Sequence, residues 1–296
     1  MSSNLPGDGG FSRRGFAALA CGIPVALRAS ARTQVPIGLM LFSVHDDLAR
    51  DLPGTLRAVA MMGYQGVEFF GPYSAWQPDH AKQVRAQLDD LNLLCLSTHN
   101  EAPAFTGDGL SHAIELNRIL GSKNIVCVRG LAPPGRSNGF PGEGLDGWKR
   151  MAEKLSEASA RLKAVGMTCG FHNHAVEFQS IGGTRPIDVL GADRDLVFHL
   201  DVGPCRQSGT DPVSFIEQYP GRIQAVLCSD WPNDATGHPP LIGKGTAPWR
   251  RIFEAAEGAG GVRFYLVQQE GSAEPPLEAA KKDLNYLRDI QRRRRD

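Results

Sequence analysis

From Ile37 onward the chain alternates between two hydrophobic periods. Short apolar runs that read as strands recur at 37–44, 66–70, 93–99, 124–129, 168–174, 196–201, 222–230 and 263–269. Between them the apolar residues fall at helical spacing, as with Leu52, Leu56, Val59 and Ala60 inside 52–62. Further helical stretches follow at 79–91, 110–120, a long one ending near Gly166, then 186–190, 212–218, 249–257 and 277–291. Two longer loops interrupt the series, a Gly/Pro-rich one at 131–147 and another running from strand seven to Pro248. Eight strands alternating with eight helices predict an α/β protein, a closed (β/α)8 TIM barrel. A doubly wound open sheet is the competing architecture. It would carry a glycine-rich phosphate turn after its first strand, and none follows here, so no nucleotide cofactor is expected.

A barrel of this kind collects its chemistry at the C-terminal ends of the strands. The titratable and amide side chains of this chain fall there: Glu68 on strand two, His99 on three and Arg129 on four. His172 and His174 follow on strand five, Asp201 on six, Asp230 on seven and Gln268 to Glu270 on eight. Nothing comparable marks the strand starts. Any one buried histidine is as readily a packing residue as a catalytic one. The cluster is harder to dismiss. If strand five stays extended, His172 and His174 share a face, because the side-chain period of a strand is two. His199 lies two residues before Asp201 and reads as a packing residue one layer deeper. Glu68 and Asp230 are equally readable as salt-bridge partners of Arg129 or Lys244 across the barrel mouth.

Charge and cysteine content narrow the function classes. Lys+Arg and Asp+Glu stand at 32 each, so no basic footprint for nucleic acid is present. The terminal Arg292–Arg295 run reads as a solvated helix end, where cations suit the helix dipole. The first 31 residues read as a leader rather than as fold: Ser12–Arg13–Arg14–Gly15–Phe16, an apolar segment to Leu27, then Ala29–Ser30–Ala31. That layout is a twin-arginine signal peptide, cleaved after Ala31, with export to the periplasm or cell exterior. Its apolar segment is too short to span a bilayer, so membrane contact is expected only during export. The mature chain, 32–296, is expected as one domain. Cys95, Cys127, Cys169 and Cys228 fall in strands and Cys205 in a loop, with no Cys-x-x-Cys spacing. A chain folded in a reducing cytosol before export keeps such cysteines as free apolar fillers.

Several motifs together carry a family resemblance over roughly residues 36–290. They are Ile37–Gly38–Leu39, Gly63–Tyr64–Gln65–Gly66–Val67–Glu68, the His-Asn-His and Glu-Phe of 172–178, and Leu200–Asp201–Val202–Gly203. Tyr219–Pro220–Gly221–Arg222–Ile223 and Ile242–Gly243–Lys244–Gly245 with Trp249 continue it. The chain resembles the sugar phosphate isomerase/epimerase superfamily, the xylose isomerase-like barrels. That resemblance implies a small carbohydrate substrate and a divalent metal, such as manganese, held by carboxylates and a histidine on strands five to eight. Such a cation binds two oxygens of a hydroxy-ketone and acidifies the adjacent C–H, while a carboxylate or histidine moves the proton.

The sequence departs from that pattern at two ligand positions. Asp201 matches the strand-six ligand and Glu177 is a candidate on strand five, in competition with His172. On strand seven, relatives read His-x-Lys-Asp, whereas the same frame here is Leu227–Cys228–Ser229–Asp230. On strand eight, Val267–Gln268 stands where Val-Glu is usual. Leucine cannot ligate and a neutral amide ligates weakly, so a tight metal site is not expected. His172, Glu177 and His174 remain as candidate acid–base groups, with Glu68, His99, Arg129, Asp230, Lys244 and Gln268 around the substrate. The expected function is an isomerase, epimerase or lyase that abstracts a proton beside the carbonyl of a small sugar, inositol or keto-glycoside. The alternative is a carbohydrate-binding relative that has lost the chemistry. A barrel-type apurinic-site endonuclease is disfavoured by the balanced charge and the missing ligands. No oligomeric interface is legible.

Overall fold

The first apolar run, Ile37–Val44, is a strand for only half its length. Strand β1 (Ile37–Met40) gives way to a 3-10 turn at Leu41–Val44, with the Met40 sulfur accepting the Phe42 N–H at 3.0 Å. The structure, a computed structural model, describes residues 34–128, 144–232 and 239–294. The twin-arginine leader, Arg129 and Arg295 lie outside the described residues.

Helices α1 (His45–Arg50) and α2 (Leu52–Met62) follow. Asp51 caps α2 by accepting the Gly54 N–H at 2.8 Å, and Gly63 ends it in the left-handed region, the two ordinary punctuation marks of a helix. The series continues with β2 (Gly66–Phe69), α3 (Pro78–Asp90), β3 (Leu94–Asn100), α4 (Gly107–Leu120) and β4 (Asn124–Cys127). After it come α5 (Gly144–Ala164), β5 (Thr168–His172), α6 (Pro186–Leu190) and β6 (Val197–Asp201). The chain closes with α7 (Val202–Gln207), α8 (Pro212–Gln218), β7 (Ile223–Cys228), α9 (Trp249–Ala255), β8 (Phe264–Val267) and α10 (Pro276–Arg293). Every strand pairs in parallel with its sequence neighbour, and β1 pairs with β8 from Ile37↔Tyr265 to Leu39↔Val267, so the barrel is closed. Cys205 lies in α7 rather than in the expected loop, and the five described cysteines are buried.

Two separate apolar clusters hold this arrangement. The larger lies between the sheet and the helices. The smaller contains Leu96, Ala225, Leu227, Phe264 and Leu266, alternate residues that the strand period turns into the barrel interior. The fifth strand leaves room for a ring there: a Cβ on Gly170 would stand 3.1 Å from the His199 Cδ2. The strand starts are not apolar either. Asn124, Thr168 and Gln224 hydrogen bond to one another at 2.8–3.1 Å, a neutral network that meets its own needs. The titratable groups sit at the other end.

Asp230 organises the loop after β7. Its carboxylate accepts the backbone N–H groups of Trp231, Gly243, Gly245 and Ala247, and the Trp249 indole N–H, at 2.8–3.2 Å. A Cβ on Gly245 would run into that carboxylate and the Trp231 carbonyl, which is why glycine stands there. Hydrogen bonds to a charged group contribute about 1.5–3 kcal/mol each, and buried donors left unpaired cost more than the bond itself was worth. Asp230→Ala is therefore expected to lower unfolding stability by about 3–5 kcal/mol, measurable by urea titration.

Candidate functional site

Glu68 enters the barrel lumen from β2 with no exposure to solvent. The pairing of β2 with β3 shifts register between Val67 and Glu68, so Ser97 stands opposite Glu68. Ser97 Oγ donates to Glu68 Oε2. His99 Nε2 approaches Glu68 Oε1 to 2.9 Å and His199 Nδ1 approaches Oε2 to 3.5 Å. The His99 contact is an ion-pair approach rather than an aligned hydrogen bond, since neither atom has a hydrogen-bond partner. Burial pushes the Glu68 carboxyl up, but His99 and His199 outweigh it and hold the group at about 2. Glu68 is thus a carboxylate under all ordinary conditions, and His99 is the group it faces.

His99 leads to the second half of the site. Its ring centroid lies 4.8 Å from that of His172, at the end of β5. The strand stops at His172, so His174 is on the following turn and the two do not share a strand face as the extended spacing predicts. Their rings nevertheless meet edge to face at 5.0 Å. Burial first, and then the neighbouring His99, His174 and His199, drive the His172 pKa well below its ordinary value. Glu177 closes the turn: its Oε2 accepts the His174 N–H at 2.7 Å and its Oε1 lies 3.7 Å from His174 Nδ1. Glu177 is fully buried beneath this turn.

Asp201 ends β6 with Oδ2 3.8 Å from His172 Nε2. Burial raises its carboxyl to about 7, against a hydrogen bond from Ser229, which donates to Oδ1. Ser229 Oγ in turn accepts the Gly203 N–H at 2.9 Å. Asn173 ties β5 to β6 by donating to the Asp201 carbonyl at 3.1 Å and accepting the Asp201 N–H at 2.9 Å. Ser97, Asn173 and Ser229 escape a reading that looks for titratable groups. Their one signal is position, because each stands within two residues of a histidine or carboxylate at a strand end.

The remaining candidates take other places. Glu68 turns to histidines and Asp230 to backbone N–H groups, so neither forms the expected salt bridge with Lys244. That lysine is exposed on the Asp230-held loop. With its oxygens engaged by five N–H donors, Asp230 serves the loop rather than a substrate. Gln268 donates to Glu270 at 2.9 Å while its Oε1 is buried without a partner. Gln269 is structural: its backbone N–H donates to Ser43 Oγ at 3.0 Å and its amide to the Pro239 carbonyl at 3.2 Å. His199 is fully buried, edge-on to Phe264 at 5.5 Å, the packing place expected for it.

Residues 56–290 match the family described as xylose isomerase-like TIM barrel. The chain belongs to that family. Among solved structures it is similar to a sugar phosphate isomerase/epimerase from Parabacteroides distasonis, with 25% identity, TM-score 0.69, and coverage of 89% of this chain and 97% of that one. An L-ribulose 3-epimerase matches at 19% identity and TM-score 0.59, over 88% and 97% of the two chains. The 3-keto-D-glucoside 4-epimerase of E. coli matches at 16% identity and TM-score 0.58, over 81% and 94%. No curated protein matches the chain.

The metal implied by the family can be tested against the donors present. Leu227 offers none and packs in the lumen with Leu96 and Leu266. Gln268 offers an amide oxygen, Asp201 has Oδ1 engaged by Ser229, and Glu177 has Oε2 engaged by a backbone N–H. Among the described residues no three histidine, cysteine, aspartate or glutamate side chains converge as a metal-holding group. This donor set does not fit a tight divalent site of the xylose isomerase-like kind.

The Glu68 environment has a pH signature. A carboxyl whose folded pKa lies near 2, below its ordinary 4.5, adds stability above pH 4.5 and loses it as pH falls through that window. Urea unfolding of wild type and Glu68→Gln across pH 7 to 2 is expected to show the variant less stable at neutrality. The difference should shrink steadily below pH 4.5; a constant difference would show that the carboxylate charge plays no part.

Proposed function

We propose that this protein is an exported enzyme of the sugar isomerase/epimerase kind. It removes the proton beside the carbonyl of a small unphosphorylated sugar, inositol or keto-glycoside. One observation carries the reading: the ring of His172 lies 4.8 Å from that of His99 and 5.0 Å from that of His174, at the strand ends. His99, His172 and His174 each have a buried carboxylate beside them, Glu68, Asp201 and Glu177 respectively. The names of the similar structures, epimerases of a ketose and a keto-glucoside among them, support the same chemistry.

A ketone on the substrate makes its neighbouring C–H acidic enough for an imidazole base, so the chemistry needs no group that these residues cannot supply. His172, kept uncharged by its surroundings, accepts the proton. Glu68 fixes the ring of His99 and balances positive charge on it, and Glu177 does the same for His174. The proton then returns from an imidazolium. Returned by His172 to the neighbouring centre, it gives the isomer; the epimer needs a proton on the opposite face from a second imidazolium, that of His99 or His174, while His172 releases its own proton to solvent. If the enolate instead expels a substituent at the next carbon, the reaction is a lyase. The leader at 1–31 supports export by the twin-arginine route. The burial of the five described cysteines suits the apolar-filler role expected of a chain that folds in the cytosol first.

The loss of ligands at Leu227 and Gln268 favours a second reading, a barrel that binds sugar without turning it over. Incubation with methyl 3-keto-β-D-glucoside in D₂O separates the two. Incorporation of deuterium beside the ketone is expected with wild type, and His172→Ala is expected to lower the rate about 10²-fold or more. Binding without deuterium uptake would replace the enzyme reading with the binding one. Elemental analysis of protein purified without chelator and titrated with Mn²⁺ is expected to find no stoichiometric metal. One equivalent of tightly held metal would overturn the metal-independent mechanism.

A further inference from the structure

Strand β6 hands Asp201 directly to helix α7, whose first residue is Val202. An aspartate in that place ordinarily turns its carboxylate back to accept an N–H of the first helical turn. Asp201 does not, since its side chain makes no capping hydrogen bond. Ser229, just past the end of β7, takes the part instead: its Oγ accepts the Gly203 N–H at 2.9 Å. The helix start is thus served from the neighbouring strand, and the Asp201 carboxylate is released from that duty.

The donors fix the direction of each bond. A backbone N–H can only donate, so Ser229 Oγ accepts from Gly203 and keeps its one hydrogen for another partner. That hydrogen goes to Asp201 Oδ1. The approach is close, and Gly203 makes room for it, because a Cβ there would run into Ser229 Oγ. Gly203 is not among the glycines with positive φ, so space rather than backbone conformation calls for glycine at this position. The backbone of Asp201 is held separately by the Asn173 amide, which donates to its carbonyl at 3.1 Å and accepts its N–H at 2.9 Å. With the backbone and Oδ1 both held, Oδ2 is turned to His172, 3.8 Å from Nε2.

Leu227, the β7 residue paired with Asp201, brings no polar group to this junction, and the hydroxyl comes two residues later. We propose that Ser229 is a positioning residue for proton transfer at His172: by capping α7 in place of Asp201 and holding Oδ1, it keeps Oδ2 turned to the imidazole. Without that hydroxyl the Gly203 N–H loses its acceptor. The Asp201 carboxylate, two residues earlier in the chain, is then placed to take over as an ordinary helix cap. Oδ2 would leave His172, and the charge that forms on the imidazole as it takes the substrate proton would lose the carboxyl group that faces it. The proposal rests on the reading of His172 as the base, and the hold on Asp201 is open to a test apart from it.

The full-length protein tests this by deuterium uptake from D₂O into methyl 3-keto-β-D-glucoside. Ser229→Ala is expected to lower kcat about tenfold with KM nearly unchanged, and Ser229→Thr, which keeps the hydroxyl, to restore most of the rate. Gly203→Ala should reproduce the loss, because its Cβ displaces the hydroxyl without removing it. Thermal melting checks that each variant is folded. Wild-type kcat in Ser229→Ala or Gly203→Ala, or a folded Ser229→Thr as slow as Ser229→Ala, overturns the proposal. If wild type itself takes up no deuterium, the reading of His172 as the base fails, and the imidazole ¹⁵N spectrum, assigned with His172→Gln, decides the hold on Asp201. A His172 Nε2 signal that moves in Ser229→Ala and returns in Ser229→Thr supports it. A signal that stays in place overturns it.

Discussion

A fully buried carboxylate in the barrel lumen sets the terms for everything around it. Glu68 has no water to solvate it, and an ion in that position is tolerated only when protein groups replace the lost hydration. Here they come from β3 and β6: the Ser97 hydroxyl and the imidazoles of His99 and His199. The register shift between β2 and β3 is what brings Ser97 opposite the carboxylate. Bulges of this type re-aim side chains beside functional sites, and this one gathers an anion and its partners on two adjacent strands. With Glu68 fixed, His99 is fixed, and the ring of His172 packs against it.

Two further buried acids, Asp230 and Asp283, show how differently the same kind of side chain is used. Asp230 is surrounded by N–H donors and holds a loop in place. Asp283 on α10 lies beneath the same loop, with Oδ1 accepting the Ile242 N–H at 2.8 Å and Oδ2 buried without a partner. Burial pushes its carboxyl up to about 7. Residue type alone does not distinguish these from Asp201. What separates them is whether donors are mainly the backbone of the loop after β7, as for Asp230 and Asp283, or side chains that converge on the lumen, as Ser229 does for Asp201.

That difference also marks the border of what the chain's pattern discloses. The barrel was legible because strand and helix periods are local properties, repeated eight times in order. The boundaries went astray where an apolar run outlasts its strand, as at Leu41–Val44, since a 3-10 turn buries the same residues that a strand would. The histidine cluster was legible because strand ends converge in any closed barrel. Its internal geometry was not, because His174 leaves the strand and Glu177 folds back beneath it. Asp230 was misjudged as a mouth residue because its five donors come from up to nineteen positions further along the chain. Ser97 needed a register shift that no single-strand pattern encodes.

The leucine at 227 links the two halves of this account. An imidazole there would have to sit among Leu96, Leu266 and Ala225 with its nitrogens desolvated, a cost that a bound cation would offset. Without the cation, leucine is the better residue, because it fills the lumen and asks for no partner. The same logic runs in reverse on the opposite wall, where histidines persist because carboxylates stand beside them. Charge in this barrel is therefore concentrated on β2, β3, β5 and β6, while β7 and β8 are sealed with aliphatic and aromatic side chains. In the proposed reaction a substrate carbonyl would meet the imidazoles of β3 and β5, with the apolar side chains of β7 and β8 below. That distribution is the physical ground for the proposed proton transfer at a carbon activated by its own ketone.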